Sequence, residues 1–137
     1  MRRPSRRGER GASVLELAII APTLLTMIFL SIQTALFLFG RAAALNAAQQ
    51  GVSELRQIQP QVYSDSLAER VRLNTETYAR RIAGNSLLGA TATYGYDPAT
   101  GIASMTVEGR TVSLVPGLEL TTKRTATGQI ETFEADK

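Results

Sequence analysis

Between Leu17 and Phe39 the chain runs for twenty-three residues, LAIIAPTLLTMIFLSIQTALFLF, without a charged side chain. At a helical rise of about 1.5 Å per residue this is roughly 34 Å, enough to cross a hydrocarbon core of about 30 Å with some tilt. The pattern predicts a transmembrane helix. Its polar residues are Thr23, Thr26, Ser31, Gln33 and Thr34. Hydroxyls can donate back to carbonyls one turn earlier, so only Gln33 asks for a separate partner. A buried core helix is the competing reading. However, the chain has 137 residues with 6 % aromatics, and no second apolar element is long enough to surround this one.

Beyond Phe39 the pattern turns amphipathic. Ala42 to Gln59 is rich in Ala, Gln, Leu and Glu, so the helix is expected to continue out of the membrane, with Leu45, Val52, Leu55 and Ile58 on one face and Pro60 ending it. A second helix is expected from Ser66, which forms a capping-box pattern with Glu69. Leu67, Val71, Tyr78 and Ile82 would make its apolar stripe, and Gly84-Asn85 its stop. After Gly89 the period changes to two. Ala90 to Tyr96, Ile102 to Glu108, Thr111 to Val115 and Leu118 to Thr125 read as strands, joined by turns at 97–101, Gly109-Arg110 and Pro116-Gly117, with a polar tail from Gly128. The expected fold is α+β: a long N-terminal transmembrane helix extending outward, a second amphipathic helix, and a small antiparallel β-meander covered by helix. The expected divisions are 1–11 as a basic leader, 12–60 as the membrane helix with its extension, 61–127 as the exterior domain, and 128–137 as the tail.

The flanks give an orientation. Arg2, Arg3, Arg6, Arg7 and Arg10 precede the span against a single Glu9, whereas Arg41 alone follows it closely. Arginines in short flanks stay on the cytoplasmic side, which places the N-terminus inside and the C-terminus outside. A cleaved secretory signal is the rival, with small residues at Ala42-Ala43-Ala44 or Leu45-Asn46-Ala47 as its cut site. A span this long exceeds the usual 7 to 15 residue apolar region, and Glu16 sits where that region would begin.

Glu16 needs its own account, because a carboxylate at a membrane entrance is costly unless it stays hydrated or paired. A bland account is available: negative charge near a helix N-terminus is mildly favoured by the macrodipole. The local string Gly11-Ala12-Ser13-Val14-Leu15-Glu16, between an arginine-rich leader and a charge-free helix, resembles the processing region of type IV pilin-like proteins. In that family a membrane aspartic peptidase cuts after the glycine, and the glutamate is the fifth residue of the mature chain. The resemblance implies cleavage between Gly11 and Ala12, a new ammonium at Ala12, and a role for Glu16 in pairing with a neighbouring subunit during assembly.

The finer resemblance is to TadE-like pseudopilins of the tight adherence (Flp) pilus system. It is carried by Glu16-Leu17-Ala18-Ile19-Ile20-Ala21-Pro22, a glutamate leading into an apolar helix with an early proline. The C-terminal half resembles actinobacterial members in Gly109 to Leu118 and in Glu131-Thr132-Phe133. Leu17 departs from the Tyr usual in major Flp pilins and the Phe of many TadE proteins. With the chain's length, that favours a minor pseudopilin over the small major pilin. Pro22 removes one helical hydrogen bond, and we read it as a kink rather than a switch.

Composition narrows the chemistry. Without residues 1–11 the chain keeps ten basic and eleven acidic side chains, so the net formal charge of +3 gives no basis for nucleic-acid binding. Cysteine and histidine are absent, which removes disulfides, thiolate metal sites and the commonest general base. The glycines at 84, 89, 95, 101, 109 and 117 are spaced as turns and not as a phosphate loop. Asp97 lacks the alternating oxygen ligands of a calcium loop, and no serine sits in a nucleophile elbow. The arginines of the second helix read as a solvated face with pairs such as Glu76 to Arg80.

No enzyme, cofactor or small-molecule substrate is expected. The resemblance implies a single-pass protein of the cytoplasmic membrane, extracted into or capping a pilus. Its expected partners are the prepilin peptidase, other pilin or pseudopilin subunits and the pilus assembly platform. The alternative is a permanently anchored protein whose exterior is a binding module. The two readings part at Gly11.

Overall fold

The structure is a computed structural model that describes residues 7–58 and 64–130, with side chains from Ser13 onward. The start of the leader, the expected helix stop at Pro60 and the Glu131-Thr132-Phe133 motif lie outside the described residues. The elements are α1 (Arg7–Arg56), α2 (Asp65–Ala83), a 3-10 turn (Gly84–Ser86), β1 (Leu87–Asp97), β2 (Ile102–Thr111) and β3 (Leu120–Gln129). The described residues fall into two units divided between Thr34 and Ala35. The fold class is α+β, as the pattern of periods predicts.

The first unit holds α1 as far as Thr34, most of the apolar run. Three of its hydroxyls fold back as expected: Thr26, Ser31 and Thr34 each donate at 2.8 Å to the carbonyl four residues earlier. Gln33 is buried.

In the second unit, the outer part of α1 packs through Gly40, Ala43, Ala44, Ala47, Ala48, Gly51, Val52 and Leu55, all buried. These positions recur at spacings of three and four, one face of a helix. The face is turned from the one expected. Val52 and Leu55 are on it, but Leu45 is only half-buried and the ridge is made of glycine and alanine. The reason is the closeness of the neighbours. A Cβ on Gly51 would collide with Thr75 Oγ1 of α2 and lie 2.8 Å from Met105 Cγ of β2. One on Gly40 would meet the Thr111 methyl and lie 3.3 Å from the Ser86 carbonyl oxygen.

Helix α2 begins two residues earlier than expected. Ser64 is its N-cap, with Oγ accepting from the Leu67 amide at 3.4 Å, while Ser66 Oγ lies 3.0 Å from Ser64 Oγ. Glu69 is drawn away from any capping box because it pairs with Arg72. The buried face is Ala68, Val71, Thr75, Glu76, Ala79 and Ala83. Tyr78 and Ile82 pack half-buried beside it, and Leu67 is also half-buried. Gly84, at φ +53, closes the helix by donating its amide to the Arg80 carbonyl.

The sheet has three antiparallel strands in the order β1-β2-β3. Its inner face carries Leu87, Ala90, Ala92, Ala103, Met105, Val107, Thr111 and Thr122, all buried. The expected turn at Gly109-Arg110 and the separate strand 111–115 are absent, because β2 runs unbroken through both residues. Gly109 is there to make room: a Cβ on it would lie 2.8 Å from Leu87 Cδ1. Opposite it, the register shifts between Leu88 and Thr91, and Gly89 takes φ +61. This is a bulge that an extra residue in β1 requires. The final strand reaches Gln129, and the next residue, Ile130, is buried, so the expected tail from Gly128 begins inside the sheet.

Gly51 decides between two opposed effects. Alanine there gains about 1 kcal/mol of helix propensity, while overpacking a tight contact costs about 1 to 3 kcal/mol. With Thr75 and Met105 both in the way, the steric cost is expected to prevail, and Gly51→Ala should lower stability by on the order of 1 kcal/mol. Chemical unfolding of the full chain in detergent, followed by circular dichroism, measures the sign. An unchanged or raised midpoint would refute the close approach.

Candidate functional site

The residues singled out in the sequence all lie on α1. The helix passes through the Gly11–Ala12 bond, so the backbone there is helical and α1 begins before the expected division at residue 12. A protease would have to open that turn, and a glycine lowers the cost of doing so by about 1 kcal/mol relative to alanine. Ala12 and Glu16 are four residues apart on α1. Glu16 is exposed, as are Ser13, Val14, Leu15 and Leu17 around it, so in the lone chain its carboxylate is open to whatever surrounds the helix. Pro22 stands inside the helix, which continues past it. The Pro22 carbonyl is not idle, since Thr26 Oγ1 donates to it at 2.8 Å.

Around these residues the helix is bare. Leu17, Ile19, Met27 and Leu30 are each more than half exposed, and the segment is long and apolar enough by length and composition to cross a membrane. A continuous apolar surface of this kind requires an apolar surrounding.

A second cluster, on α2, was only half visible in the sequence. The Glu76 to Arg80 pair exists at 3.5 Å, yet Glu76 is not on a solvated face. It is buried, and Oε1 accepts from the Ala92 amide of β1 at 3.0 Å and from Arg72 Nη1 at 2.5 Å. Arg72 in turn bridges to Glu69, which lowers the Glu69 pKa through their hydrogen bond and raises that of Arg72. Arg80 also donates to the Ala90 carbonyl at 3.4 Å. The arginines thus form a lattice that binds helix to sheet. The clue in the sequence was positional: Glu76 stands three and seven residues before Ala79 and Ala83, on the same helix face.

Asp97, at the start of the β1 to β2 turn, accepts from Thr100 Oγ1 at 2.7 Å and from the Ala99 amide at 3.0 Å. Those hydrogen bonds hold its carboxyl below the usual range. This is turn chemistry, with Gly101 donating to the Asp97 carbonyl at 2.8 Å.

With this geometry established, comparison with known proteins is informative. Residues 11–53 match the family model described as TadE-like protein. The likeness is of that segment. The match opens at Gly11, takes in Glu16 and Pro22, and runs into the buried ridge of α1. No curated protein and no solved structure matches the chain.

The Glu76 lattice makes a prediction about the fold. Glu76→Ala leaves the Ala92 amide buried without its acceptor, a loss of about 1 to 3 kcal/mol. Glu76→Gln keeps an acceptor in place and should lose less. Denaturant midpoints of the two variants should fall in that order, and equal, parental midpoints would remove Glu76 from the helix-to-sheet linkage.

Proposed function

We propose that this chain is a minor pseudopilin-like subunit that takes part in assembling a tight adherence (Flp) pilus and is processed by a prepilin peptidase between Gly11 and Ala12. The observation that carries the reading is the coincidence of the TadE-like match with a bare apolar helix that carries one exposed carboxylate, Glu16, near its entrance. The N-terminus lies on the cytoplasmic side and the α+β unit outside, by the excess of arginine before the span. The role is structural and not catalytic. Its partners are the peptidase, other pilin or pseudopilin subunits and the assembly platform.

In a lone subunit Glu16 stays hydrated at the interface. Packing helix against helix removes that water, and the charge then needs a cation. Cleavage supplies one, because the new Ala12 ammonium of a neighbour carries a unit positive charge. Processing and assembly would thereby be linked through one pair of groups. The second reading, a permanently anchored binding module, draws on the exterior unit, which has a core of its own.

Intact-mass measurement on protein from cells that contain the peptidase separates the two readings. A chain beginning at Ala12 is expected, and Gly11→Val should accumulate as uncut, correctly inserted precursor. Retention of Arg2 to Arg10 in the parent chain would favour the anchored module instead.

Glu16→Gln tests the assembly step by itself. It should insert and be cut, because neither step needs a buried charge, yet fail to cross-link with pilus subunits. Breaking a buried ion pair costs about 3 to 5 kcal/mol. Incorporation at the parental level would show that Glu16 has no part in subunit packing.

A further inference from the structure

The segment between β2 and β3 is apolar where a solvent-facing connection should be polar. Leu114, Val115 and Leu118 are 43 %, 51 % and 43 % exposed. They are held in a defined shape. Leu118 donates its amide to the Val115 carbonyl at 3.2 Å across Pro116-Gly117, and Gly117 takes φ +80. Proline followed by a positive-φ glycine is the arrangement of a type II turn, which sets Val115 and Leu118 at its two ends. Ser113 braces the approach, with its Oγ 3.1 Å from both the amide and the carbonyl oxygen of Val115. The apolar tip is thus presented by a turn and not left by an unstructured loop.

Its place in the fold identifies the surroundings it meets. The loop leaves β2 at Thr111, and Thr111 is the residue against which Gly40 of α1 packs. Gly40 directly follows Leu38 and Phe39, the last residues of the apolar run, which are 54 % and 51 % exposed. The Val112 amide donates to the Ser86 carbonyl at 3.3 Å, and that same carbonyl faces Gly40. The base of the loop and the exit of the span are therefore side by side within one unit. A polar group marks the loop's base, where Arg110 Nη1 lies 3.3 Å from Glu119 Oε1. Apolar side chains at a tip with a charged pair at the base suit a bilayer interface, where an apolar body enters the acyl boundary and charges stay with the headgroups.

We infer that the Val112 to Glu119 loop is a second membrane contact: Leu114, Val115 and Leu118 insert into the outer-leaflet interface beside the exit of α1. The occupant is lipid, argued from continuity with the exposed apolar surface at Leu38 and Phe39. The inference rests on residues 17–39 spanning the membrane, and it is independent of cleavage at Gly11. It gives the unit a second point of attachment to the bilayer besides the helix.

The chain has no tryptophan, so single reporters can be placed in the full-length protein. Leu30→Trp reports the span, Val115→Trp the loop, and Ala99→Trp the turn at the opposite end of β2. Each is reconstituted into phosphatidylcholine vesicles with or without bromine on the acyl chains near the headgroup or near the bilayer centre. Leu30→Trp should be quenched best by centre-brominated lipid. Val115→Trp should be blue-shifted and quenched best by lipid brominated near the headgroup, and Ala99→Trp should be quenched by aqueous iodide alone. If Leu30→Trp is quenched by lipid while Val115→Trp behaves as Ala99→Trp does, the loop contact is refuted and the span stands. If Val115→Trp is shielded from both lipid and iodide, a protein surface covers the loop and the lipid assignment is refuted. Loss of lipid quenching at Leu30→Trp would overturn the span itself and the loop contact with it.

Discussion

Everything outside the apolar span depends on how closely α1 approaches its neighbours at Gly40 and Gly51. A side chain larger than hydrogen at either position would occupy space already taken by Thr111, Thr75 or Met105. Alanines 43, 44, 47 and 48 continue the same close-packed ridge. Such a surface buries little area per residue, so its stabilisation comes from many short van der Waals contacts. Among the described residues the largest fully buried side chains are Leu55, Met105, Val107 and Thr75. With a core this thin, specific polar ties matter more than usual. Glu76 on the Ala92 amide secures α2 to β1, and Arg56 Nε on the Gln129 carbonyl, at 2.8 Å, secures the end of α1 to β3.

The same ridge explains what could and could not be read from the sequence. The apolar run 17–39 was legible because lipid imposes a simple rule, the absence of charge over the required length. The alternation in Ile102 to Glu108 was legible because one face of the sheet is buried and the other is not. The packing face of outer α1 was not legible by hydrophobicity, because Gly and Ala carry almost no hydrophobic signal, and Leu45 drew the predicted face toward itself. Gly51, a poor helix former by propensity, is a point of close contact with Thr75 and Met105.

Glycine misled the strand assignment in the same way. Gly109 before Arg110 reads as a turn when only local preferences are weighed, but the space it leaves is filled by Leu87 from the neighbouring strand. A bulge beside a glycine is a tertiary feature, and no local pattern announces it. The Glu76 lattice was partly hidden for a related reason. Charge spacing along α2 identified a pair with Arg80, but the burial of the carboxylate depends on β1 supplying an amide from sixteen residues away. Of the candidate site, Glu16 and Pro22 are found on α1 as expected, whereas the helical state of the Gly11–Ala12 bond was not anticipated.

The position of the ridge bears on how far the core depends on what surrounds the apolar run. Among the described residues the apolar core of the second unit starts at Ala43, a few residues after the apolar run ends, and none of its buried apolar groups lies N-terminal to that. Moving residues 17–39 from lipid into a bundle of like helices therefore changes the surroundings of the span without removing any member of that core. The ties that close the core, from Glu76, Arg56 and the glycine contacts, all lie within the same unit and would travel with it. A core supported by close contact and internal hydrogen bonds within one unit does not draw on what surrounds the apolar run, so a change of solvent around residues 17–39 leaves its members in place.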